Sequence, residues 1–280
     1  MHLLGGLLEI LDSKMETPVM YGKFHIFFFV ASLVAGIFLC VKFKNVSEAL
    51  VRRFLLVVSL VVIALEVYKQ INYSFEYDGK RILFDYQWYA FPFQFCSTPM
   101  YIGLLAAIVR NKKIHSSLCS YLGTYAFFAG LCVMIYPTTV FTRTIGVNIQ
   151  TMICHGSMIT VGIFLLCSGY VKTEYRSVLN ALPVFIILVT MASIMNEIAY
   201  QSGLLETDTF NMFFISPHCN PELPVYSLVQ GVVPFPWCAL IYIIGFSLAG
   251  YLLHPLFALI KHMLGSVGHK HSDTPCIQGH

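Results

Sequence analysis

Two residues suited to covalent chemistry, Cys96 and His155, lie within apolar segments of this chain. Cys96 ends an aromatic run that starts at Phe91 and includes Pro92 and Gln94. His155 is the only histidine well inside an apolar segment. A thiolate attacks a carbonyl carbon to form an acyl-thioester, and an imidazole moves the protons. The pair therefore indicates nucleophilic acyl transfer.

Other polar residues also interrupt apolar segments. Glu66 and Asn196 lie inside such segments, and His25 lies at the edge of one. A charged group at the centre of a membrane helix costs roughly 2.5–3.5 kcal/mol, so several of them suggest a shared site. Gln94 or Asn196 could donate to a tetrahedral oxyanion, and Glu66 could orient His155 or hold it charged.

Composition sets the fold class. Hydrophobic residues make up 57 % of the 280 residues and charged residues 11 %, and the mean hydropathy is +0.73. Such a chain is typical of a multi-pass integral membrane protein. We expect an all-α membrane helical bundle, with no nucleic-acid partner.

The apolar segments predict about seven membrane spans, since a span needs about 20 apolar residues. They cover approximately 24–42, 53–75, 91–109, 117–136, 149–170, 178–200 and 232–260. The third is expected to begin as a helix at Pro92. Residues 1–11 predict a short interfacial helix, 1–265 a single membrane-embedded domain, and 266–280 a disordered polar tail.

Basic residues predict the orientation, because short loops rich in Lys and Arg stay cytoplasmic. One set of alternate loops carries most of the 17 basic residues. The long connection before the seventh span has no Lys or Arg but has three acidic residues, Glu206, Asp208 and Glu222. This distribution places the N-terminus outside and the C-terminus inside.

With this orientation, the polar residues converge in depth. Cys96, His155, Glu66 and Asn196 all fall within roughly ten residues of the outer ends of their spans, at about 1.5 Å per residue. The seventh span opens at a similar level with a collar that includes Trp237. The sequence therefore predicts one polar pocket in the outer leaflet.

Other interpretations stay open. Six further cysteines lie in predicted spans, and buried cysteine is common, so Cys96 could be a packing residue. A transporter or receptor could use Glu66, His155 and Asn196 to bind a polar ligand. A haem-bearing reductase would need paired histidines such as His25 and His155. No CxxC, HExxH or Walker pattern is present, so we expect no metal and no cofactor.

Several motifs resemble those of a known family. They are Glu66, the Pro92-to-Cys96 motif followed by Ser97, His155-Gly156, Asn196 before the Gly203 loop, Asn211 leading to Pro217, and the Pro234-to-Trp237 collar. With them the chain resembles the YwaF-like integral membrane family, whose vertebrate members look like acyltransferases acting on ether lysophospholipids.

This resemblance has implications for function. It implies Cys96 as the acyl-accepting nucleophile and His155 as its partner. It also implies phospholipid and lysophospholipid as substrates. Gln94, Glu66, Asn196, His25, Asn211 and Trp237 are then expected to bind or orient the substrate.

Overall fold

The protein is an α-helical bundle, seen in a computed structural model. The structure describes residues 2–43, 46–137, 140–206, 208–221, 223, 226–235 and 237–269. Its helices are α1 (His2–Leu11), α2 (Lys23–Lys42), α3 (Glu48–Asn72), α4 (Thr98–Ile108), α5 (Lys112–Tyr121), α6 (Phe127–Ile135), α7 (Ile145–Cys167), α8 (Tyr175–Ser202) and α9 (Trp237–His269). A π-helical turn, Leu122–Ala126, joins α5 to α6.

The predicted membrane bundle is confirmed. Among the described residues, four helical stretches are long and apolar enough to cross a bilayer: Lys23–Lys42, Lys112–Ile135, Ile145–Cys167 and Tyr175–Ser202. The 25-residue α3 fills the second predicted span. Shorter apolar helices, Thr98–Ile108 and Trp237–Leu253, lie in the third and seventh. Each predicted span therefore contains a helix.

Local sequence sets several helix ends. The Ser47 side chain accepts a hydrogen bond from the backbone N–H of Leu50 at the start of α3. Asn111 caps α5 by accepting from the N–H groups of Lys113 and Ile114. Gly203 ends α8 in the left-handed conformation, with φ of 62°. These residues satisfy N–H groups or allow backbone angles that a helix end needs.

Helix α7 is the centre of the bundle. It packs against α2, α3 and α6, while α5 packs on α8 and α8 on α9. Glycines bring α2 and α7 close together: a Cβ on Gly36 would lie 2.9 Å from the Ile163 side chain, and one on Gly156 would collide with Ser32. Such small residues are typical of helix contacts in membranes. The rest of α2 is mostly exposed, as expected for a lipid-facing helix.

Two features differ from the sequence predictions. Phe75–Tyr77 and Ile82–Phe84 pair as a short antiparallel hairpin, β1 and β2, after α3. At the other end, α9 runs to His269, past the predicted boundary at 265. The remainder of the predicted tail, 270–280, and Pro236 of the collar lie outside the described residues.

Candidate functional site

The third predicted span is only partly helical. Helix α4 begins at Thr98, with Pro99 in its first turn, where a proline is favoured because its missing N–H would have no partner there. Pro92 therefore does not begin the helix, and that prediction was wrong. Residues 91–97 form turns, in which the N–H groups of Ser97 and Thr98 donate to the Gln94 carbonyl at 2.9 and 3.1 Å. Cys96 lies in this turn rather than on a helix.

The turn packs against a segment of the long connection between α8 and α9. Residues 210–216 (the 210–216 segment) enter the bundle, and Met212 and Phe213 have no exposed surface. The Gln94 amide bonds both ways to this segment: its Nε2 donates to the Asn211 carbonyl at 2.9 Å, and its Oε1 accepts from the Phe213 N–H at 3.0 Å. Irregular backbone at membrane depth needs such protein cover.

Asn196 holds the same segment from α8. Its Nδ2 donates to the Met212 carbonyl at 3.0 Å, and its Oδ1 accepts from the Met212 N–H at 2.7 Å. Asn211 closes the segment by accepting from the Ser216 N–H at 3.0 Å. Three predicted site residues, Gln94, Asn196 and Asn211, therefore meet at one backbone segment.

The 210–216 segment is also strained. Phe213 and Phe214 have φ angles of 59° and 56°, a left-handed region that costs non-glycine residues of order 1–3 kcal/mol each. The ring of Phe213 stacks on Phe95 with a centroid distance of 5.2 Å. The amide hydrogen bonds and this stacking fix the residue next to Cys96.

Cys96 borders a small cavity between α3, α4 and α7. The cavity has a volume of about 20 Å³ and is also lined by Ser59, Met100, Cys154 and Ser157. That is room for about one water molecule. The Cys154 thiol donates to the Cys96 carbonyl at 3.5 Å. A second thiol and two hydroxyls are thus the polar groups at the cavity.

His155 follows Cys154 on α7 and is buried. Its Nδ1 bonds to the Thr151 carbonyl at 2.8 Å, which makes Nδ1 the donor and leaves Nε2 as the acceptor of the neutral ring. Within the described residues, no hydrogen bond joins His155 to Cys96, and His155 does not line the cavity. Adjacent helical residues point about 100° apart, so His155 and Cys154 do not share one face of α7.

Glu66 is the centre of a buried polar network. Its Oε1 lies 2.8 Å from the Lys69 ammonium and accepts from Gln70 at 2.8 Å. Its Oε2 accepts from Gln150 of α7 at 3.0 Å. The carboxylate is therefore paired and hydrogen-bonded, as a buried charge requires. Its partner on α7 is Gln150, five residues before His155.

The network reaches the loop that precedes the Cys96 turn. Gln70 donates to the Ala90 carbonyl at 2.8 Å, and its Oε1 accepts from the Tyr86 hydroxyl at 2.7 Å. Burial, followed by the nearby Glu66 charge, raises the pKa of Tyr86 to about 12. Tyr86 therefore stays a neutral donor, and α3 anchors the chain just before Phe91.

Two predicted site residues lie apart from this region. The ring of His25 bonds on both sides: Nδ1 accepts from the Tyr21 N–H at 3.0 Å, and Nε2 donates to the Met134 carbonyl at 2.9 Å. It therefore ties α2 to the end of α6 and has no free nitrogen for haem iron. Trp237 is 61 % exposed at the start of α9.

Sequence reasoning missed several residues that the fold brings to the site. Lys69 and Gln70 could have been found, because they lie three and four residues after Glu66 and so share its helix face. Gln150, Cys154, Ser157 and Met100 carried no such signal. Their positions depend on how α7 and α4 are rotated against α3.

The comparison with family models decides the family. The model of the TMEM164 family matches residues 20–257, which is most of the chain. The chain belongs to the TMEM164 family. No curated protein and no solved structure matches it. The TMEM164 family is a transmembrane family, in agreement with the multi-pass bundle, and the YwaF-like family remains a resemblance.

Proposed function

We propose that this TMEM164 family protein is a membrane-embedded acyltransferase that moves a fatty acyl chain from a phospholipid to a lysophospholipid through a thioester on Cys96. The observation that carries the proposal is the position of Cys96. It lies on a non-helical turn inside the bundle, at a cavity, and two separate amide side chains hold the segment that packs against this turn. A packing cysteine would not need this arrangement.

The reaction balances without a cofactor. His155 Nε2 takes the thiol proton, and the sulfur attacks the ester carbonyl carbon of the donor lipid. A C–S bond forms, the C–O ester bond breaks, and the leaving oxygen takes the proton from His155. In the second half, the acceptor hydroxyl gives its proton to His155 and attacks the thioester, and the sulfur leaves and is reprotonated.

This role requires His155 to approach the thiol during the reaction. Its Nε2 is the free acceptor of the ring, because Nδ1 bonds to the Thr151 carbonyl. Catalytic hydrogen bonds are often long in unliganded enzymes and tighten when the substrate binds. A change of the His155 rotamer, or a shift of the Cys96 turn, would make the contact.

The two amides expected from sequence to bind the oxyanion are directed at the 210–216 segment instead. Gln94 and Asn196 each donate one N–H to a carbonyl of that segment. The backbone N–H of Phe95 donates no hydrogen bond to any described residue. We assign the oxyanion to this N–H group, and to Gln94 and Asn196 the role of holding the turn in place.

The test is the intact mass of the purified protein after incubation with phosphatidylcholine vesicles. We expect an acyl adduct that neutral hydroxylamine removes, that is absent in Cys96→Ala, and that fails to accumulate in His155→Ala. Cys154→Ala is the matched control, since Cys154 lines the same cavity. It should keep the adduct.

Other outcomes would contradict the proposal. An adduct that is lost in Cys154→Ala but kept in Cys96→Ala would show that the nucleophile is Cys154 and not Cys96. No adduct in any variant, with tight lipid binding retained in Cys96→Ala, would favour the transporter or receptor interpretation, in which the Glu66 network binds a polar ligand.

A further inference from the structure

A second, larger cleft lies next to the Cys96 cavity. It has a volume of about 270 Å³, close to the lower bound of the roughly 300–1,000 Å³ of ligand pockets. One face of α3 forms most of its wall, with Pro92, Met100 and Tyr101 opposite; the α3 residues are Ile63, Glu66, Val67, Gln70 and Ile71, and Ser74 and Phe75 line it just after the helix ends. The spacing of three and four residues among the α3 residues is that of a single helix face.

This wall has two chemically different rows. Glu66 and Gln70 form a polar row one helical turn apart, and Ser74, just after the helix end, donates to the Gln70 carbonyl. Glu66 is buried against α7. Val67 and Ile71, from the apolar row, are 53 % and 37 % exposed. In a membrane bundle, exposed apolar side chains contact lipid chains. The cleft thus opens sideways to the bilayer and has polar groups along its inner edge.

Met100 separates the cleft from the Cys96 cavity. It lines both spaces, is 5 % exposed, and packs with Val62 and Cys154 in a small cluster of its own. Methionine is unbranched and flexible, so it changes rotamer more easily than leucine or isoleucine. The cavity itself, at about 20 Å³, has no room for an acyl chain while Met100 is in this position.

We propose that the α3–α4 cleft binds the acyl chain of a phospholipid from the surrounding bilayer, and that Met100 is the gate through which the chain reaches Cys96. The choice of occupant rests on the proposed acyl transfer. The amphipathic wall supports it, because a phospholipid ester lies between a polar head and apolar chains. The gate also explains how a thiol at a cavity too small for an acyl chain is reached from the membrane.

The test measures access to the thiol without requiring catalysis. The full-length protein in phosphatidylcholine vesicles is treated with N-dodecylmaleimide, and labelling of Cys96 is followed by peptide mass spectrometry. Cys132, which is exposed, is the internal standard. Val67→Trp fills the mouth of the cleft from the lipid side. Val61→Trp is its matched control, because Val61 is 50 % exposed on the same helix but does not line the cleft.

We expect Val67→Trp to slow Cys96 labelling at least tenfold and Val61→Trp to change it less than twofold. Met100→Ala should speed it severalfold. Met158→Ala, which alters a cavity residue that does not border the cleft, should have less than twofold effect. Labelling of Cys132 should be unchanged in all four variants.

Three results would overturn the inference. The first is a Cys96 labelling rate within twofold of wild type in both Val67→Trp and Met100→Ala. The second is an equal increase of this rate in Met100→Ala and Met158→Ala. The third is the absence of Cys96 labelling even in Met100→Ala. The two proposals can fail separately. If Val67→Trp slows Cys96 labelling but no acyl adduct forms, the proposed access route is supported and the proposed acyl transfer is wrong. If an acyl adduct forms but Cys96 labelling does not depend on Val67 or Met100, the proposed acyl transfer is supported and the access route is wrong.

Discussion

Replacing Asn196 with leucine should release the 210–216 segment from the bundle. The side chains have similar size, so the change removes hydrogen bonds with little change in volume. Asn196 makes two bonds to Met212, at 2.7 and 3.0 Å, and Met212 has no exposed surface. The substitution leaves a buried N–H and a buried carbonyl without partners, at roughly 1–3 kcal/mol each.

Relief of backbone strain adds to this effect, because it lowers the free energy of the open state of the 210–216 segment. The left-handed angles at Phe213 and Phe214 relax in the open state, which favours opening further. We expect the free energy of local opening to fall by about 3 kcal/mol. Since about 1.4 kcal/mol corresponds to a factor of ten, amide exchange in the segment should rise about a hundredfold.

Hydrogen–deuterium exchange in detergent measures this directly. The relevant amides are those of Met212, Phe213 and Ser216, which bond to Asn196, Gln94 and Asn211. The control is Asn180→Leu on the same helix. Asn180 bonds to serine hydroxyls of α5 instead, so this variant should leave exchange at 210–216 unchanged.

Two results of the exchange measurement would contradict this prediction. Unchanged exchange in Asn196→Leu would refute the role of Asn196 in holding the segment. An equal rise in the Asn180→Leu control would show a general loosening of α8 rather than release of one segment.

Two further substitutions test the packing around the site. Glu66→Gln leaves the partly buried Lys69 without a charged partner and should destabilise the protein by about 2–3 kcal/mol. The double variant with Lys69→Met should recover most of that loss in thermal unfolding, and no recovery would argue against the pair. Gly36→Val places a branched side chain against Ile163 and should cost about 1–3 kcal/mol. Gly245→Val, where a Cβ meets nothing within 4 Å, should unfold like the wild type.

Much of the bundle could be predicted from sequence because membrane spans are local features. A long apolar run must become a helix in lipid, since no water satisfies its backbone. The positions of α2, α7 and α8 followed from this rule. It failed at residues 91–97, where the backbone is covered by another part of the chain and need not be helical. The hairpin after α3 also gave no signal of its own.

Only part of the candidate site could be predicted from the sequence. Depth along the spans placed Asn196 near the level of Cys96, and in the structure Asn196, Gln94 and Asn211 all bond to the 210–216 segment. The depth of a residue along its span does not show how the helix is rotated about its axis, and this rotation decides which side chains are in contact. The rotation of α7 gives Glu66 a bond to Gln150 rather than to His155, and it directs Cys154 toward the Cys96 turn.

The sequence by itself determined a multi-pass membrane bundle with a thiol, a histidine and several amides at similar depth. These properties depend on composition and on distance along each helix. Only the tertiary structure decided that Cys96 lies on an irregular turn, that the 210–216 segment packs against this turn, and that Met100 lies between its cavity and a second cleft. Such contacts join residues far apart in the chain, and they are set by how whole helices pack together.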